Sequence, residues 1–321
     1  GAVTFVECLL SSDTDVGMAK SLGVATLGLA EVLGQMRPDL ILLIADRYEM
    51  LAPASVALTL RIPIAHIEGG EITSGAMDDA VRNAITKMSH IHFACTQPAH
   101  SRLLAMGEQP GRVHWSGSLS LDNIRRSKLF NKRQLEEKLD ITFAHPTVVV
   151  VYHPVTLLRD TVEETREIFS ALRKLQGRFF FVYPNADAGC RKLIDLSQRF
   201  VAGRPGSKVF INLEHTTYLS LLRHTDLLVG NSSSGIIEST TLEVPVLNIG
   251  IRQRGREHAA NVLDVPANDG EILKAFQLAL KPEFRKAIQG LTSPYGDGHA
   301  SERIVKVLAK TALGAPLLFK T

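Results

Sequence analysis

Three carboxylates near two apolar, strand-like segments in the first half of the chain are of a type that could carry proton transfer. Asp46 ends LILLIAD, Glu68 follows IPIAHI, and Asp78 opens the helical pattern DDAVRNAITK. Carboxylates around one substrate carbon can take up and deliver protons when burial and mutual repulsion separate their pKa values. Arg47 and Arg82 are close enough in sequence to hold some of them ionised. Helix capping would account for Asp78, but poorly for Glu68 inside IAHIEGGE.

A second set of polar residues follows strand-like segments in the other half and would suit an anionic ligand. His153 follows VVVVY, Asn185 follows FFFVYP, and Ser232 and Ser233 follow LLVGN. Small residues after a buried strand let backbone N–H groups approach a phosphate, and a helix expected from near Ser233 would direct its positive end there. Glu238, about one turn into that helix, could accept two hydrogen bonds from a ribose diol.

Arg252 follows VPVLNIGI, where it could pair with a phosphate or contact a base. Structural alternatives exist for each of these residues. A serine can cap the helix, His153 can be a structural hydrogen-bonding group, and Arg252 can belong to a solvated loop. Polar groups at six strand ends, in both halves of the chain, favour a ligand site between two domains over six independent caps. Neither a P-loop nor a GxGxxG motif is present.

Continuous apolar segments alternate with amphipathic ones along the whole chain. Strands without polar alternation are buried on both faces, which predicts parallel sheets covered by helices. The predicted fold class is therefore α/β, with two Rossmann-like, doubly wound domains at residues 1–143 and 144–321. The last helix is expected to pack back on the first domain. Ligands of such sheets bind beyond the carboxyl ends of the strands, which predicts a site in the cleft between the domains.

Composition narrows the function classes. A length of 321 residues with 45% hydrophobic residues suits two domains, and a formal net charge of +3 without a Lys/Arg run does not favour a nucleic-acid partner. Apolar runs of only strand length predict no membrane-spanning helix. The start, GAVTFVECLL, lacks the features of a signal peptide and is typical of a strand. Cys8, Cys95 and Cys190 lack CxxC spacing, which favours a reducing, cytoplasmic location without a zinc site.

Taken in order, several motifs resemble the hydrolysing UDP-N-acetylglucosamine 2-epimerases of sialic-acid biosynthesis, including the epimerase half of the animal bifunctional epimerase/kinase. The motifs are ADRYEM, HIEGGE, TSGAMDDAVRNAITKMSHIHF, VYHPVT, YPNADAG, GNSSSGIIEST and NIGIRQRGREHAANVLDV. The resemblance implies a GT-B-like pair of Rossmann-like domains that bind a UDP-linked sugar in their cleft. It also implies a reaction in which loss of the C2 proton and of UDP gives 2-acetamidoglucal, and water then gives N-acetylmannosamine.

The resemblance further implies roles for individual residues. Asp46, Glu68 and Asp78 are expected as acid/base carboxylates, and His153 as the group facing the leaving phosphate. The expected substrate-binding residues are Arg47, Arg82, Asn185, Ser232, Ser233, Glu238 and Arg252. Neither a metal nor a redox cofactor is expected, since elimination generates its own unsaturated intermediate. A homodimer or homotetramer is the expected assembly.

HIEGGE differs from the HVEAGLR-like stretch of the non-hydrolysing 2-epimerases, which favours the hydrolysing type. Two features depart from the family. Nothing in the first forty residues matches its first strand and Gly-Thr-Arg-rich loop, so that either about sixty residues precede this sequence or activity is impaired. Ala45 also stands where family members carry Gly in GDR, and alanine disfavours a positive φ.

Other functions are compatible with the same residues. The same chemistry could act on UDP-2,4-diacetamido-2,4,6-trideoxyglucose, as in legionaminic-acid pathways, or on a GDP-linked donor. A GT-B glycosyltransferase or a nucleotide-sugar-binding module would share the architecture. A glycosyltransferase would need an acceptor, and a binding module would tolerate loss of Asp46 or Glu68 without losing affinity for UDP.

Overall fold

The computed structural model describes residues 3–8, 14–44, 47–74, 77–153, 162–183 and 190–320. Asp46 and Asn185, two predicted site residues, lie outside the described residues, as does Ala45. The chain forms two compact units. Unit 1 consists of Gly1–Ile72, Met77–Leu119 and Tyr295–Thr321, and unit 2 of Thr73–Ala76 and Ser120–Pro294.

This division differs from the expected domain boundary between residues 143 and 144. Phe143 lies in unit 2, where its ring packs edge-on against Phe180 with 6.0 Å between the ring centroids. The C-terminal residues belong to unit 1, because Ile304 is buried in one apolar cluster with Phe93. Packing of side chains distant in sequence, and not the composition of the linker, therefore sets the limits of both units.

The described residues form ten strands and fourteen α-helices. The strands are β1 (Ile41–Ile44), β2 (Ile64–Ile67), β3 (Ile91–Ala94), β4 (Val113–Trp115), β5 (Thr147–Val151), β6 (Arg178–Tyr183), β7 (Lys208–Ile211), β8 (Leu227–Gly230), β9 (Val246–Ile249) and β10 (Val262–Val265). The helices are α1 (Asp15–Met36), α2 (Leu51–Leu60), α3 (Asp78–Met88), α4 (Gln97–Ala105), α5 (Leu119–Arg126), α6 (Lys132–Leu139), α7 (Val162–Lys174), α8 (Cys190–Ala202), α9 (His215–His224), α10 (Ser234–Ile237), α11 (Asp269–Ala279), α12 (Pro282–Ala287), α13 (Ala300–Leu308) and α14 (Ala315–Leu318). Tyr48–Met50 and Pro110–Arg112 are short 3₁₀ helices.

The sheet of unit 1 is parallel and has the order β1-β2-β3-β4. β2 and β3 are buried on both faces, as their continuous apolar sequences predict. One face contributes to a cluster that includes Leu33 of α1 and Ile85 of α3. The other face packs its Ile67 and Phe93 against Ile304 of α13. Helices therefore cover both faces, and the carboxyl ends of the four strands lie along one edge.

Helix α1 bears on the expectation that no helix spans a membrane. Its 22 residues are long and apolar enough, by length and composition alone, to cross a membrane. Ala, Gly, Ser and Thr interrupt the larger apolar residues, so no long apolar run marks this helix in the sequence. Only 22% of its apolar window is buried, and Leu33 is one of the residues of α1 that pack in the core of unit 1.

Three short segments can be compared with what their sequences indicate. Residues 3–8 form no strand, although their sequence suggested one. The apolar residues of the helical segments 55–60 and 85–88 are compatible, by sequence alone, with either a subunit surface or the core. Ile85 is fully buried and is core, whereas Leu58 is 49% exposed on α2.

The sheet of unit 2 is parallel and has the order β10-β9-β8-β5-β6-β7. Strands β5, β6 and β7 extend to one side, and β8, β9 and β10 to the other, so the direction of winding reverses between β5 and β8. Such a switch point opens a crevice beyond the strand ends, where ligands of open α/β sheets bind. The segments after β5 and β8 carry the predicted residues His153, Ser232 and Ser233.

Candidate active site

The loop that follows β2 in unit 1 has an unusual backbone. Glu68 has a φ of 71°, in the left-handed region that non-glycine residues rarely adopt. Gly70 has a φ of 78°, and a Cβ there would lie 2.3 Å from the carbonyl oxygen of Ala99. Two hydrogen bonds fix this path: the Glu68 amide donates to Phe93 O at 2.9 Å, and Arg102 Nε donates to Gly70 O at 2.6 Å. The loop therefore presents a half-buried Glu68 in a defined and strained conformation.

Glu71 ends this loop and is 5% exposed. Its Oε1 accepts from Thr96 Oγ1 and its Oε2 accepts from the Tyr295 hydroxyl, both at 3.3 Å. Its backbone carbonyl accepts from Arg82 Nη1 at 2.8 Å. The carboxylate is thus held by two residues far from it in sequence, and the backbone carbonyl by a third.

Arg82 and Asp78 lie in the first turns of α3. Arg82 is fully buried, and its Nη1 also contacts Asp79 Oδ1 at 3.3 Å. Asp78 is half-buried and is the first residue of the helix, after Met77 at the N-cap position, so it is not the N-cap itself. Because residues four apart share a helix face, Asp78 and Arg82 project to the same side of α3. Arg82 thus binds the end of the same loop that begins with Glu68.

Arg47 occupies a different environment. It precedes the 3₁₀ turn after β1 and pairs with Glu49 at 3.0 Å, with 62% of its side chain exposed. A pair this exposed is weakly held in water. The expected role of Arg47 in binding the substrate stays a prediction.

The switch point of unit 2 joins His153, after β5, to Asn231, after β8. The His153 amide donates to Asn231 Oδ1 at 2.7 Å, and Asn231 Nδ2 donates to His153 O at 2.8 Å. Gly230 precedes Asn231 with a φ of 145°, and a Cβ there would lie 2.0 Å from the carbonyl oxygen of Val151. Only glycine therefore permits this approach of the two strand ends.

Arg252 lies beside this pair. Its Nη1 donates to Asn231 O at 2.9 Å, and Gln253 Nε2 donates to the same oxygen at 2.9 Å. Burial lowers the pKa of His153 to about 4, and the positive charge of Arg252 acts in the same direction. His153 is therefore neutral at pH 7, and an incoming phosphate would raise its pKa.

The serine segment after β8 is less helical than the sequence suggested. The predicted helix near Ser233 is α10, a single turn of four residues, so its dipole is weaker than that of a long helix. Ser232 Oγ accepts from the Ser234 amide at 3.3 Å, whereas the Ser233 side chain makes no capping hydrogen bond. Half-buried Ser232 and Ser233 lie next to Asn231 in the chain, and α10 ends immediately before Glu238.

Glu238 is 7% exposed, and its Oε2 is buried without a hydrogen-bond partner. Burial raises the pKa of its carboxyl group, while the Ser120 hydroxyl and the charges of His215 and Arg256 oppose that shift. The nearby Tyr218 hydroxyl is also buried without a partner among the described residues. Burial and the Glu238 carboxylate raise its pKa, whereas the neighbouring hydroxyl groups of Ser234 and Ser232 oppose that shift. Unsatisfied buried polar atoms are rare in folded proteins and often mark a site for a ligand.

Sequence reasoning did not single out Asn231, Tyr218, Glu71 or Tyr295 as site residues. Asn231 could have been found, since it directly precedes the serines. Tyr218 lies in HTTYLSLLRH, where an aromatic residue is typical of a helix core. Glu71 stands among the charged residues after IPIAHI, but its contact with Tyr295 has no local signal, because the two residues lie 224 positions apart. The described residues contain no group of three or more His, Cys, Asp or Glu side chains arranged to hold a metal ion.

A family model described as UDP-N-acetylglucosamine 2-epimerase matches residues 2–309. The GDP/UDP-N,N'-diacetylbacillosamine 2-epimerase (hydrolyzing) of Campylobacter jejuni is 34% identical over 95% of this chain and 80% of its own length. The UDP-N,N'-diacetylbacillosamine 2-epimerase (hydrolyzing) of Legionella pneumophila is 33% identical over 94% of this chain and 79% of its own. The crystal structure of UDP-GlcNAc 2-epimerase from Neisseria meningitidis bound to UDP-GlcNAc shares the fold, with a TM-score of 0.80 at 20% identity over 94% of this chain and 84% of that one.

Proposed function

Because this chain belongs to the UDP-N-acetylglucosamine 2-epimerase family, whose members are enzymes acting on nucleotide sugars, we propose that it is a hydrolysing 2-epimerase with UDP-2,4-diacetamido-2,4,6-trideoxyglucose as its donor. The sequence alone favoured UDP-N-acetylglucosamine and kept this donor as an alternative. The alternative is better supported, since the Campylobacter and Legionella relatives are both named for diacetylbacillosamine. The product would then serve synthesis of a sugar of the legionaminic-acid type.

The proposed reaction has two steps. A carboxylate removes the proton from C2 of the sugar, the electron pair forms a C1–C2 double bond, and the C1–O bond breaks to release UDP. Water then adds its hydroxyl group to C1, and a proton is added to C2 on the face opposite to the one that lost it. The net change is hydrolysis of the nucleotide sugar to UDP and a free sugar inverted at C2.

The conformation of Glu68 is the observation that carries this proposal. Abstraction of a proton from a weakly acidic carbon requires a carboxylate fixed within a fraction of an ångström of its target. The left-handed backbone of Glu68 and the hydrogen bonds on either side of it supply such a fixed position. Asp78 and Asp46 are proposed as the other acid/base groups, and Arg82 as the cation that keeps them ionised.

Unit 2 is proposed to bind UDP. His153 and Arg252, both joined to Asn231, would contact the diphosphate, with Ser232 and Ser233 donating hydrogen bonds to it. The unpartnered Oε2 of Glu238 would accept a hydrogen bond from the ribose diol. Asn185 is included as a nucleotide ligand on the strength of its motif alone.

Proton NMR in D₂O tests the proposed function directly. The protein is incubated separately with UDP-2,4-diacetamido-2,4,6-trideoxyglucose, with its GDP-linked counterpart and with UDP-N-acetylglucosamine. Release of UDP together with a C2-deuterated, 2-epimeric free sugar is expected, fastest for the first donor. Faster turnover of UDP-N-acetylglucosamine would overturn the choice of donor. Intact donors in the presence of measurable UDP binding would overturn the hydrolytic reaction and favour a transferase or a binding module.

A homodimer or homotetramer and a cytoplasmic location complete the proposal. The exposed Leu58 of α2 and Leu27 of α1, 49% and 76% exposed, are apolar groups that a second copy could cover. Light scattering on the purified chain tests the assembly, and a monomer at micromolar concentration would reject it. Fractionation of cells that express the full-length protein tests the location.

A further inference from the structure

The strained loop after β2 is restrained most heavily at Glu71, which the proposed reaction does not use. Glu71 is nearly inaccessible to solvent, yet both of its carboxylate oxygens accept hydrogen bonds from neutral hydroxyl groups. Its backbone carbonyl accepts from the buried Arg82. A buried carboxylate is unfavourable unless its hydrogen-bonding capacity is met. This residue is therefore difficult to explain as a filler of the core.

Tyr295, one of the two hydroxyl donors, is itself fixed in unit 1. The amide of Ser118 donates to Tyr295 O at 2.8 Å, and a Cβ at Gly117 would lie only 3.0 Å from the same oxygen. Arg303 of α13 donates to Ser116 O at 3.0 Å and to Asp297 Oδ2 at 2.7 Å. The Tyr295 hydroxyl is thus a rigid point of attachment carried by the segment after β4 and by α13.

We propose that Glu71, held by the hydroxyl groups of Thr96 and Tyr295, is a positioning residue that maintains the strained backbone of Glu68 and the guanidinium of Arg82. Glu71, Thr96 and Tyr295 are called the Glu71 clamp below. The inference rests on the proposed function, because it assigns the clamp to the acid/base loop of that reaction. Glu71 acts through Glu68 and Arg82, and does not itself contact the substrate.

The clamp explains how a left-handed glutamate persists at the end of a strand. Such a conformation is unfavourable for a residue with a Cβ and persists only when the surrounding structure over-determines it. The Glu68 amide bond to Phe93 and the Arg102 bond to Gly70 fix the first part of the loop. The Glu71 contacts fix its end. Release of that end would let the backbone of Glu68 relax toward the ordinary extended conformation. Its carboxylate would then move away from the position that catalysis requires.

Tyr295→Phe and Glu71→Gln test the clamp. Each removes hydrogen-bonding capacity with little change in volume. We expect kcat on the preferred donor to fall by roughly 10- to 100-fold, the range expected when a catalytic group is displaced by about 1 Å. KM and the affinity for UDP should stay within about twofold of the wild type, because the proposed UDP ligands belong to unit 2. Amide hydrogen exchange of residues 69–71 should accelerate in both variants.

Tyr183→Phe is the matched control. Its hydroxyl is equally buried and bonds Ser197 Oγ at 2.7 Å in unit 2. It should lower Tm by a similar amount without changing kcat or the exchange of residues 69–71. A Tyr295→Phe enzyme with unchanged kcat and exchange would overturn the clamp, and so would a fall in kcat that Tyr183→Phe reproduces. A wild-type protein that binds UDP but turns over no donor would defeat the proposed function instead. The exchange comparison would then still decide whether the clamp holds the loop.

Discussion

The loop Glu68–Glu71 of unit 1 and the segment Asn231–Glu238 of unit 2 both follow buried parallel strands, but their polar groups are treated differently. In unit 1 the carboxylate of Glu71 and the carbonyl of Gly70 have hydrogen-bond donors within the unit. In unit 2 the Oε2 of Glu238 and the hydroxyl of Tyr218 are buried without a partner among the described residues. The fold satisfies these buried polar groups in the first segment and leaves two of them without a hydrogen bond in the second.

The difference suggests a division of tasks. A group that transfers protons gains from a fixed position before the substrate arrives, so its supporting hydrogen bonds are built into the fold. A group that binds a ligand gains from polar atoms that are unsatisfied until binding, because their desolvation cost is then recovered in the complex. The loop Glu68–Glu71 is therefore built as the proposed reaction requires of a catalytic loop, and the segment Asn231–Glu238 as it requires of a nucleotide site. The following substitutions would break or sharpen this comparison.

The largest effect is expected for Glu68→Gln. Loss of a general acid/base typically lowers turnover by roughly 10²- to 10⁴-fold. We expect a fall in kcat in that range, with UDP affinity within a few-fold of the wild type, as measured by the NMR assay and by calorimetry. Glu137→Gln makes the same change on the exposed face of α6, where Glu137 pairs with Arg133, and should leave kcat unaltered. Retained turnover in Glu68→Gln would remove Glu68 from the acid/base set.

Glu238→Ala should weaken binding of UDP. Hydrogen bonds from a ribose diol to a carboxylate are worth about 1–3 kcal/mol, or roughly 5- to 150-fold in Kd. Tm of the free protein is measured alongside, because the variant also loses the contact of the carboxyl group with the Ser120 hydroxyl and leaves a cavity. Calorimetry with UDP measures the affinity. Equal affinities of variant and wild type would show that the unsatisfied oxygen serves no ligand.

The pH dependence of UDP binding should reveal His153. Its pKa of about 4 in the free protein lies below the ordinary 6.5, and a bound diphosphate would raise it. A ligand that raises a pKa takes up a proton on binding, so its affinity rises as the pH falls through the bound-state value. As the pH falls from 7 to 5.5, the wild type should therefore gain affinity for UDP relative to His153→Asn. Parallel pH profiles of the two proteins would exclude His153 from the phosphate site.

The same residue affects stability with the opposite sign. Because the folded-state pKa of His153 is lowered, its neutral form stabilises the free protein fully above pH 6.5, the unfolded value. That contribution is lost as the pH falls from 6.5 toward 4. Free wild-type protein should therefore lose more stability in this window than His153→Asn, as followed by thermal unfolding. UDP should reduce the difference.

The smallest effect is expected for Tyr218→Phe in the free protein. Removal of a buried hydroxyl without a partner should raise Tm by about 2 °C, because the desolvation penalty of that group disappears. Tyr183→Phe, which deletes a hydroxyl bonded to Ser197, should lower Tm instead. Scanning calorimetry of the two variants measures both shifts. A lower Tm for Tyr218→Phe would mean that its hydroxyl is satisfied and that the contrast between the two units is weaker than described.

Much of the architecture could be predicted from local sequence. Strands β1, β2, β5, β6, β8 and β9 correspond to the continuous apolar segments LILLI, IPIAHI, VVVVY, FFFVYP, LLVG and VPVLNI. β10 was missed because Asp264 interrupts its apolar pattern. Its carboxylate is accommodated by Asn248 of β9, which donates to it at 2.7 Å. A cross-strand partner of this kind cannot be read from one strand's sequence.

The sequence by itself determined the α/β class, the family, and the position of Glu68, His153, the serines and Glu238 directly after or near strand ends, because hydrophobic periodicity and motif order are local properties. Only the tertiary structure decided the left-handed backbone of Glu68, the single-turn length of α10, the pairing of His153 with Asn231, and the contact between Glu71 and Tyr295. These features depend on which side chains distant segments bring together, and on which buried polar atoms that packing satisfies. Neither the contacts between distant segments nor the hydrogen bonding of buried polar atoms can be read from any one stretch of the chain.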